Sequence, residues 1–229
     1  MRSAFHVRFG SAVVLGVAGL AMVGCSGNKG DSPAGPDKAA TVSGDKATKA
    51  MMGIRQVQDE INVAKGNVKS LVDAMTALKN SSGGGMQPAF QNFQTALSTM
   101  QTHADKVAAR SQDMQARAKE YREYWENEVK GMDNAELRAG AQERANKVNE
   151  RFDAIRGKFE ECRKLYQPFV KDCNDVNGYL SKELSASSLG VASGALDKGI
   201  ADGKQLSKSI DDAIVELVSV SVKMSPETR

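Results

Sequence analysis

The stretch 141–180, AQERANKVNERFDAIRGKFEECRKLYQPFVKDCNDVNGYL, decides the fold. Apolar side chains recur in it at alternating steps of four and three, and no charged residue falls on this stripe. A mean step of 3.5 residues keeps one seam of a helix facing a partner helix, as in a coiled coil. The stripe comprises Ala141, Ala145, Val148, Phe152, Ile155, Phe159, Cys162, Tyr166, Phe169, Cys173, Val176 and Leu180.

Three further segments repeat this spacing. Helices are predicted from about 46 to 80, 88 to 130, 134 to 183 and 189 to 224, with short Gly-, Asn- or Ser-containing turns between them. Short turns between helices favour antiparallel neighbours. We therefore predict an all-α fold over residues 46–226: an elongated antiparallel bundle of about four long helices with heptad packing.

Local signals refine this prediction. Asp133, with Glu136 three residues later, is expected to cap the third helix. Pro168 lies off the stripe, so it should kink that helix or mark a short irregularity without disturbing the seam. In the last helix Gly199 and Gly203 fall on the seam, where they either admit bulky neighbours or let the helix fray.

The apolar face of the last helix widens after Ile210 to include further residues with branched side chains, so we expect that end to be the more deeply buried one. These residues are Ile214, Val215, Val218 and Val222.

The first 24 residues are typical of a secretion signal. Arg2 and Arg8 precede an apolar run, 12–23, that is too short to span a bilayer. The segment LAMVGC, 20–25, resembles the lipobox of bacterial lipoproteins. This resemblance implies lipidation of Cys25 and cleavage before it, and Ser26 in place of an aspartate implies sorting to the outer membrane. An ordinary cleaved signal is the alternative.

Residues 25–45 form a predicted lipidated cysteine and flexible tether, because their Gly, Ser, Pro and Asp content buries little apolar surface. The domain organisation is therefore a signal peptide over 1–24, the tether over 25–45 and the bundle. Several acyl chains would anchor the chain stably in a membrane.

The net charge of +3 falls to +1 once Arg2 and Arg8 are removed, leaving 29 basic against 28 acidic residues. A nearly neutral chain with interspersed charges argues against a nucleic-acid partner.

No catalytic, metal or cofactor site is predicted. His103, the single histidine after residue 24, flanks the stripe of its helix as a surface side chain. Cys162 and Cys173 are three helical turns apart, too far for a mutual disulfide. We expect buried free thiols, with a disulfide to another chain as the alternative.

An aromatic stretch, EYREYWENE at 120–128, has two possible interpretations. Tyr121 and Trp125 lie on stripe positions, which favours core packing over a sugar- or partner-stacking patch. Met51 and Met52 are the better candidates for exposed apolar contacts.

Three segments carry a family resemblance: EYREYWENEV (120–129), NAELRAGAQERANKVNERFDAIR (134–156) and YQPFVKDCNDVNGYL (166–180). They resemble an uncharacterised family of helical bacterial envelope proteins known only as a domain of unknown function. The resemblance implies no activity and no functional residues.

The expected function is that of a lipid-anchored, non-enzymatic structural or protein-interaction module on the periplasmic face of the outer membrane. Its expected partners are the membrane, through the lipid anchor, an unidentified protein and a second copy of itself. The alternative is a periplasmic chaperone or ligand carrier that uses apolar grooves between helices, which requires an exposed patch of several hundred Å².

The seam itself yields a prediction. Truncating Phe152 or Phe159 to alanine should lower the free energy of unfolding by about 3–5 kcal/mol, because each change leaves a cavity in the seam. Thermal melting checks this, and an unchanged melting temperature for either variant would contradict the proposed register.

Overall fold

Four long helices make up the protein. The computed structural model describes residues 36–224, with side chains over 45–222. The helices are α1 (Pro36–Lys79), α2 (Met86–Lys130), α3 (Ala135–Leu180) and α4 (Ala186–Met224), and a single 3₁₀ turn, Gly83–Gly85, precedes α2. No strand occurs in this range. The predicted all-α fold is confirmed.

The helices run antiparallel around a shared core. In each pair of neighbouring helices, residue numbers rise along one helix while those of their bonding partners fall along the other. The bonded pairs are Lys65–Asp211 and Lys79–Asp197 between α1 and α4, Gln94–Asn177 and Gln101–Asn174 between α2 and α3, and Cys162–Ser209 and Asp172–Lys198 between α3 and α4. α1 packs on α2 and α4, and α3 packs on α4 and less extensively on α2. At 39–46 residues each, the helices are roughly 60–70 Å long.

The predicted stripes form the core. On α1 and α4 the stripe is buried from Ala50 to Leu78 and from Leu189 to Val220. The stripe positions that are only half-buried, apart from Ala47, lie on α2 and α3: Ala104, Val107, Trp125, Val148, Phe159 and Tyr166. The seam between α2 and α3 is therefore more open than the others, and truncation of Phe159 should be less destabilising than truncation of Phe152.

The cap of α3 is Asn134, and the prediction of Asp133 was wrong. The Asn134 side-chain oxygen accepts hydrogen bonds of 3.0 Å from the amides of Glu136 and Leu137. Asn134 directly precedes the first helical residue and has an extended backbone, so its side chain reaches these amides. Asp133 lies one residue too early to do so.

Helix α1 begins at Pro36, inside the segment 25–45 that we predicted to be a tether. The tether prediction is therefore wrong over residues 36–45 and stays a prediction over 25–35, which lie outside the described residues. Proline is well tolerated in a first helical turn, where its missing N–H would have no partner. The Lys38, Ala39 and Ala40 that follow are good helix formers.

Glycines on α4 admit neighbouring side chains instead of fraying the helix. A Cβ built on Gly203 would lie 2.5 Å from Val72 Cγ2 and 3.1 Å from Phe169 Cζ. A Cβ on Gly199 would overlap the end of Met75. Bulky residues of α1, as well as of α3, thus occupy the space that these glycines leave.

The second half of α4 is not more deeply buried, and that prediction was wrong. Val215, Val218 and Val222 are 67%, 40% and 54% exposed, while Ile214 is half-buried. Successive residues of a helix are rotated by about 100° around its axis. These valines are one or two positions from buried seam residues in the sequence, so they lie on a different face of α4. The extra apolar width forms a second, outward-facing stripe.

Pro168 lies within α3, which continues through it, and its side chain is exposed. This agrees with its predicted place away from the seam.

Two glycines of α4 provide a matched test of packing. Gly203→Ala should destabilise the protein by about 1–3 kcal/mol through overpacking against Val72 and Phe169. Gly194→Ala, on the same helix but with open space around its Cβ, should stabilise it by about 0.4–1 kcal/mol through reduced entropy of the unfolded chain. Urea unfolding measures both, and equal stability of the two variants would refute the close approach.

Candidate functional site

An open cleft of about 560 Å³ lies between α2 and α3 near the middle of the bundle. It reaches down to buried core residues of the other two helices. The floor residues are Ile61, Ala64 and Val68 of α1 and Leu206 and Ile210 of α4. All four helices therefore contribute to one concave apolar surface.

Small side chains on α2 create the opening. Ala104, Ala108 and Ser111 line the cleft where a large residue would fill it. Across from them, Phe159 and Tyr166 of α3 are only half-buried. A seam position without a bulky partner leaves a groove, because the packed core on the α1 and α4 side holds the helix axes apart.

The rim of the cleft is polar and carries both signs of charge. Asp105 and Glu160 are its acids, and Arg156 and Arg163 are its bases. Arg156 lies 3.4 Å from Asp153 on the same helix. Arg163 forms no ion pair within residues 45–222. An apolar floor with a polar rim is the usual composition of a small-molecule site.

Ser111 stands out among the cleft residues. It is 8% exposed, and its hydroxyl oxygen is buried with no hydrogen-bond partner among the described residues. Buried polar groups are nearly always hydrogen-bonded. The hydrogen-bonding capacity of this hydroxyl is therefore unused by the described residues, beside the cleft.

Two titratable groups line the cleft with altered acidity. Burial raises the pKa of the Cys162 thiol, whose Sγ lies 3.3 Å from Ser209 Oγ. Burial, with the nearby Asp105 carboxylate, raises the pKa of Tyr166 to about 12. Both groups are therefore neutral near pH 7 and act here as polar but uncharged surface.

The cysteines predicted from sequence lie apart. Cys25, the predicted lipidation site, is outside the described residues. Cys162 and Cys173 are both buried and free, as expected for thiols that fill the seam. Cys173 Sγ lies 3.9 Å from Met75 Sδ in the core.

His103 is more engaged than a surface histidine. Its Nδ1 lies 2.8 Å from Glu60 Oε1 on α1, and both side chains are about four-fifths buried. This pair joins α1 to α2 and is not part of the cleft lining. No residue pattern signalled it, because the partner lies on another helix.

The aromatic stretch lies nearer the turn that joins α2 to α3. Tyr121 is buried, and its ring meets Trp125 edge to face with centroids 6.4 Å apart. A second cavity of about 130 Å³ lies beside them, lined also by Asn146 and Asn149. Core packing accounts for Tyr121, while Trp125 stays half-buried. Of the two candidate methionines, Met52 is 48% exposed and Met51 is half-buried.

The described residues hold neither a metal-binding cluster nor a membrane-spanning helix. Across the part of the chain that the structure describes, no three His, Cys, Asp or Glu side chains are grouped to hold a metal ion. No helix in that part combines the length and hydropathy needed to cross a bilayer.

Thiol reactivity tests the burial of the two cysteines. Burial, with the neighbouring carboxylates of Asp172 and Asp202, raises the pKa of Cys173 to about 12 from an ordinary 9.0. Raising the pH from about 8 to about 10 therefore ionises this thiol in unfolded but not in native protein. Native Cys173 should resist iodoacetamide at both pH values, whereas Cys162 at the cleft should react slowly.

Mass spectrometry of alkylated peptides gives both rates, with urea-unfolded protein as the control. Native Cys173 that reacts as fast as the unfolded thiol would contradict its placement.

Comparison with known proteins extends the sequence resemblance. No curated protein and no solved structure matches the chain. The family model described as "Protein of unknown function (DUF2959)" matches residues 40–221, which include most of all four helices. The chain therefore belongs to the DUF2959 family, a family of unknown function.

Proposed function

We propose that the protein is a lipid-anchored helical binding module on the periplasmic face of the outer membrane, acting through contact and not through catalysis. The observation that carries the binding function is the cleft between α2 and α3, whose lining includes apolar side chains of all four helices. The lipobox-like segment at Cys25 supports the anchor.

The side chains around the cleft favour binding over chemistry. Cys162, the one thiol in its lining, has Ser209 as its neighbour, and burial raises its pKa. A nucleophilic thiol requires a lowered pKa or an adjacent base. His103, the base that the sequence offers, is paired with Glu60 outside the lining.

The two binding modes considered from sequence rest on different surfaces. A ligand carrier would use the cleft, whose floor is apolar and concave. A protein-interaction or structural module would use the outward stripe of Val215, Val218 and Val222 on α4. We favour the carrier, because a concave site with a polar rim orients a ligand, while three exposed valines are ordinary on a protein surface. The apolar surface that the cleft exposes is smaller than the several hundred Å² expected from the sequence, so the cleft suits a small ligand and not a chaperone's unfolded client.

Anchoring is tested by labelling. In cells fed an alkyne palmitate, the chain should become labelled and fractionate with the outer membrane, and Cys25→Ser should abolish both the label and the membrane recovery. Ser26→Asp serves as the matched variant: it should keep the label but move the protein to the inner membrane. Label retained by Cys25→Ser, or recovery of the parent chain in the cytoplasm, would refute the anchor.

A further inference from the structure

Within the proposed binding function, on which this inference rests, the geometry points to the ligand class of the α2–α3 cleft. The ligand is a single-chain amphiphile: a long hydrocarbon chain lies along the apolar floor, and an anionic oxygen head group lies beside Ser111 and Arg163. A free fatty acid and a lysophospholipid share this chemistry.

The dimensions of the cleft favour a slender ligand. Its lining runs from Met100 to Gln115 on α2 and from Arg156 to Gln167 on α3, which spans roughly 16–22 Å at 1.5 Å per residue. The volume of about 560 Å³ over that length leaves a mean cross-section of about 25–35 Å². A narrow, elongated space of this kind suits one extended chain better than an α-helix, which is about 10–12 Å in diameter.

Hydrogen bonding disfavours an extended peptide. The walls and floor belong to α-helices, whose backbone groups are bonded within each helix, so the cleft offers no sheet edge to a strand. A peptide on this floor would lose water from its own N–H and C=O groups without gaining partners. A hydrocarbon chain has no such groups, so it fits both the width and the polarity of the floor.

The charges along the cleft orient the ligand. The α2–α3 bonds Gln94–Asn177 and Gln101–Asn174 set a register that places Ser111 level with about residues 160–164 of α3. Arg163 and Glu160 are both within this level, and Arg156 lies farther along α3 toward Gln115. Asp105 lies toward the other end, near Tyr166. The Ser111 end thus has two arginines and one carboxylate in the lining, so it favours an anionic head group, with the chain directed toward Met100.

Two polar groups at that end lack partners in the protein. The Ser111 hydroxyl is buried without a hydrogen bond, and Arg163 has no ion pair among the described residues. A carboxylate or phosphate oxygen accepts hydrogen bonds from both a hydroxyl and a guanidinium. One head group would thus satisfy both, which a purely apolar ligand would not.

Photocrosslinking tests the class of ligand. The full chain, in phospholipid vesicles, is irradiated with a diazirine palmitate, and the crosslinked peptides are identified by mass spectrometry. Crosslinks should fall on 100–115 and 156–167. Unlabelled saturated fatty acids should compete with a strength that falls about fourfold for each methylene removed, as expected for burial of a hydrocarbon chain.

Variants place the probe in the cleft. Ala108→Phe, on the cleft lining, should lower crosslinking at least tenfold, while Ala109→Phe, exposed and outside the lining, should not change it. Ser111→Ala should weaken binding roughly threefold to tenfold, the effect of one hydrogen bond. Its thermal stability should be unchanged or higher, because the hydroxyl has no partner to lose.

The outcomes separate this inference from the broader function. Competition by palmitate or by lysophosphatidylglycerol supports the acyl class, and the stronger competitor identifies the source. Crosslinks outside residues 100–115 and 156–167, or crosslinks that Ala108→Phe leaves unchanged, overturn the inference of an acyl ligand in the cleft.

Native mass spectrometry of protein extracted from the envelope provides the second measurement. A bound molecule without an acyl chain that is lost in Ala108→Phe refutes the acyl class and keeps the binding function. Absence of both crosslink and bound mass refutes both.

Discussion

Burial of one apolar seam against another is the interaction on which the structure depends. The stripes on α1 and α4 are buried almost without interruption, and each fully buried large side chain contributes about 1.5–3 kcal/mol. The lysine–aspartate ion pairs that join helices, such as Lys65–Asp211, contribute much less, because their side chains stay partly exposed to water. The α1–α4 side of the bundle is therefore the rigid support on which α2 and α3 lie.

This uneven packing accounts for the cleft. Where Gly199 and Gly203 let α1 and α3 approach α4 closely, side chains fill the space completely. Where α2 has the small residues Ala104, Ala108 and Ser111, the side chains of α3 do not fill the space between the two helices. The small residues of α4 allow closer packing of the core, whereas the small residues of α2 leave a cleft.

Most of the fold followed from the sequence, because the spacing of apolar residues determines which face of a helix is buried. Errors arose where the outcome depends on a second helix. Phe152 and Phe159 look equivalent in the pattern, but the second faces small residues of α2 and stays half-buried. Val215, Val218 and Val222 are exposed because α4 has no third neighbour to cover them.

The candidate site was less predictable than the fold. The sequence indicates grooves between helices only in general terms, and no motif places one at residues 100–115 of α2. The one local sequence signal of the cleft is the presence of small residues at positions 104, 108 and 111. The same spacing of small residues would also suit close packing of two helices. The His103–Glu60 pair likewise joins residues 43 positions apart, beyond the reach of any local pattern.

An even number of antiparallel helices has a directional consequence. Residues 36 and 224 lie at the end of the bundle that carries the Gly131 turn, while the Gly83–Gly85 turn and the start of α4 lie at the opposite tip. Both ends of the described chain therefore lie at one end of the bundle, with the cleft partway along it. The distance of the cleft from residues 36 and 224 is fixed by helix length.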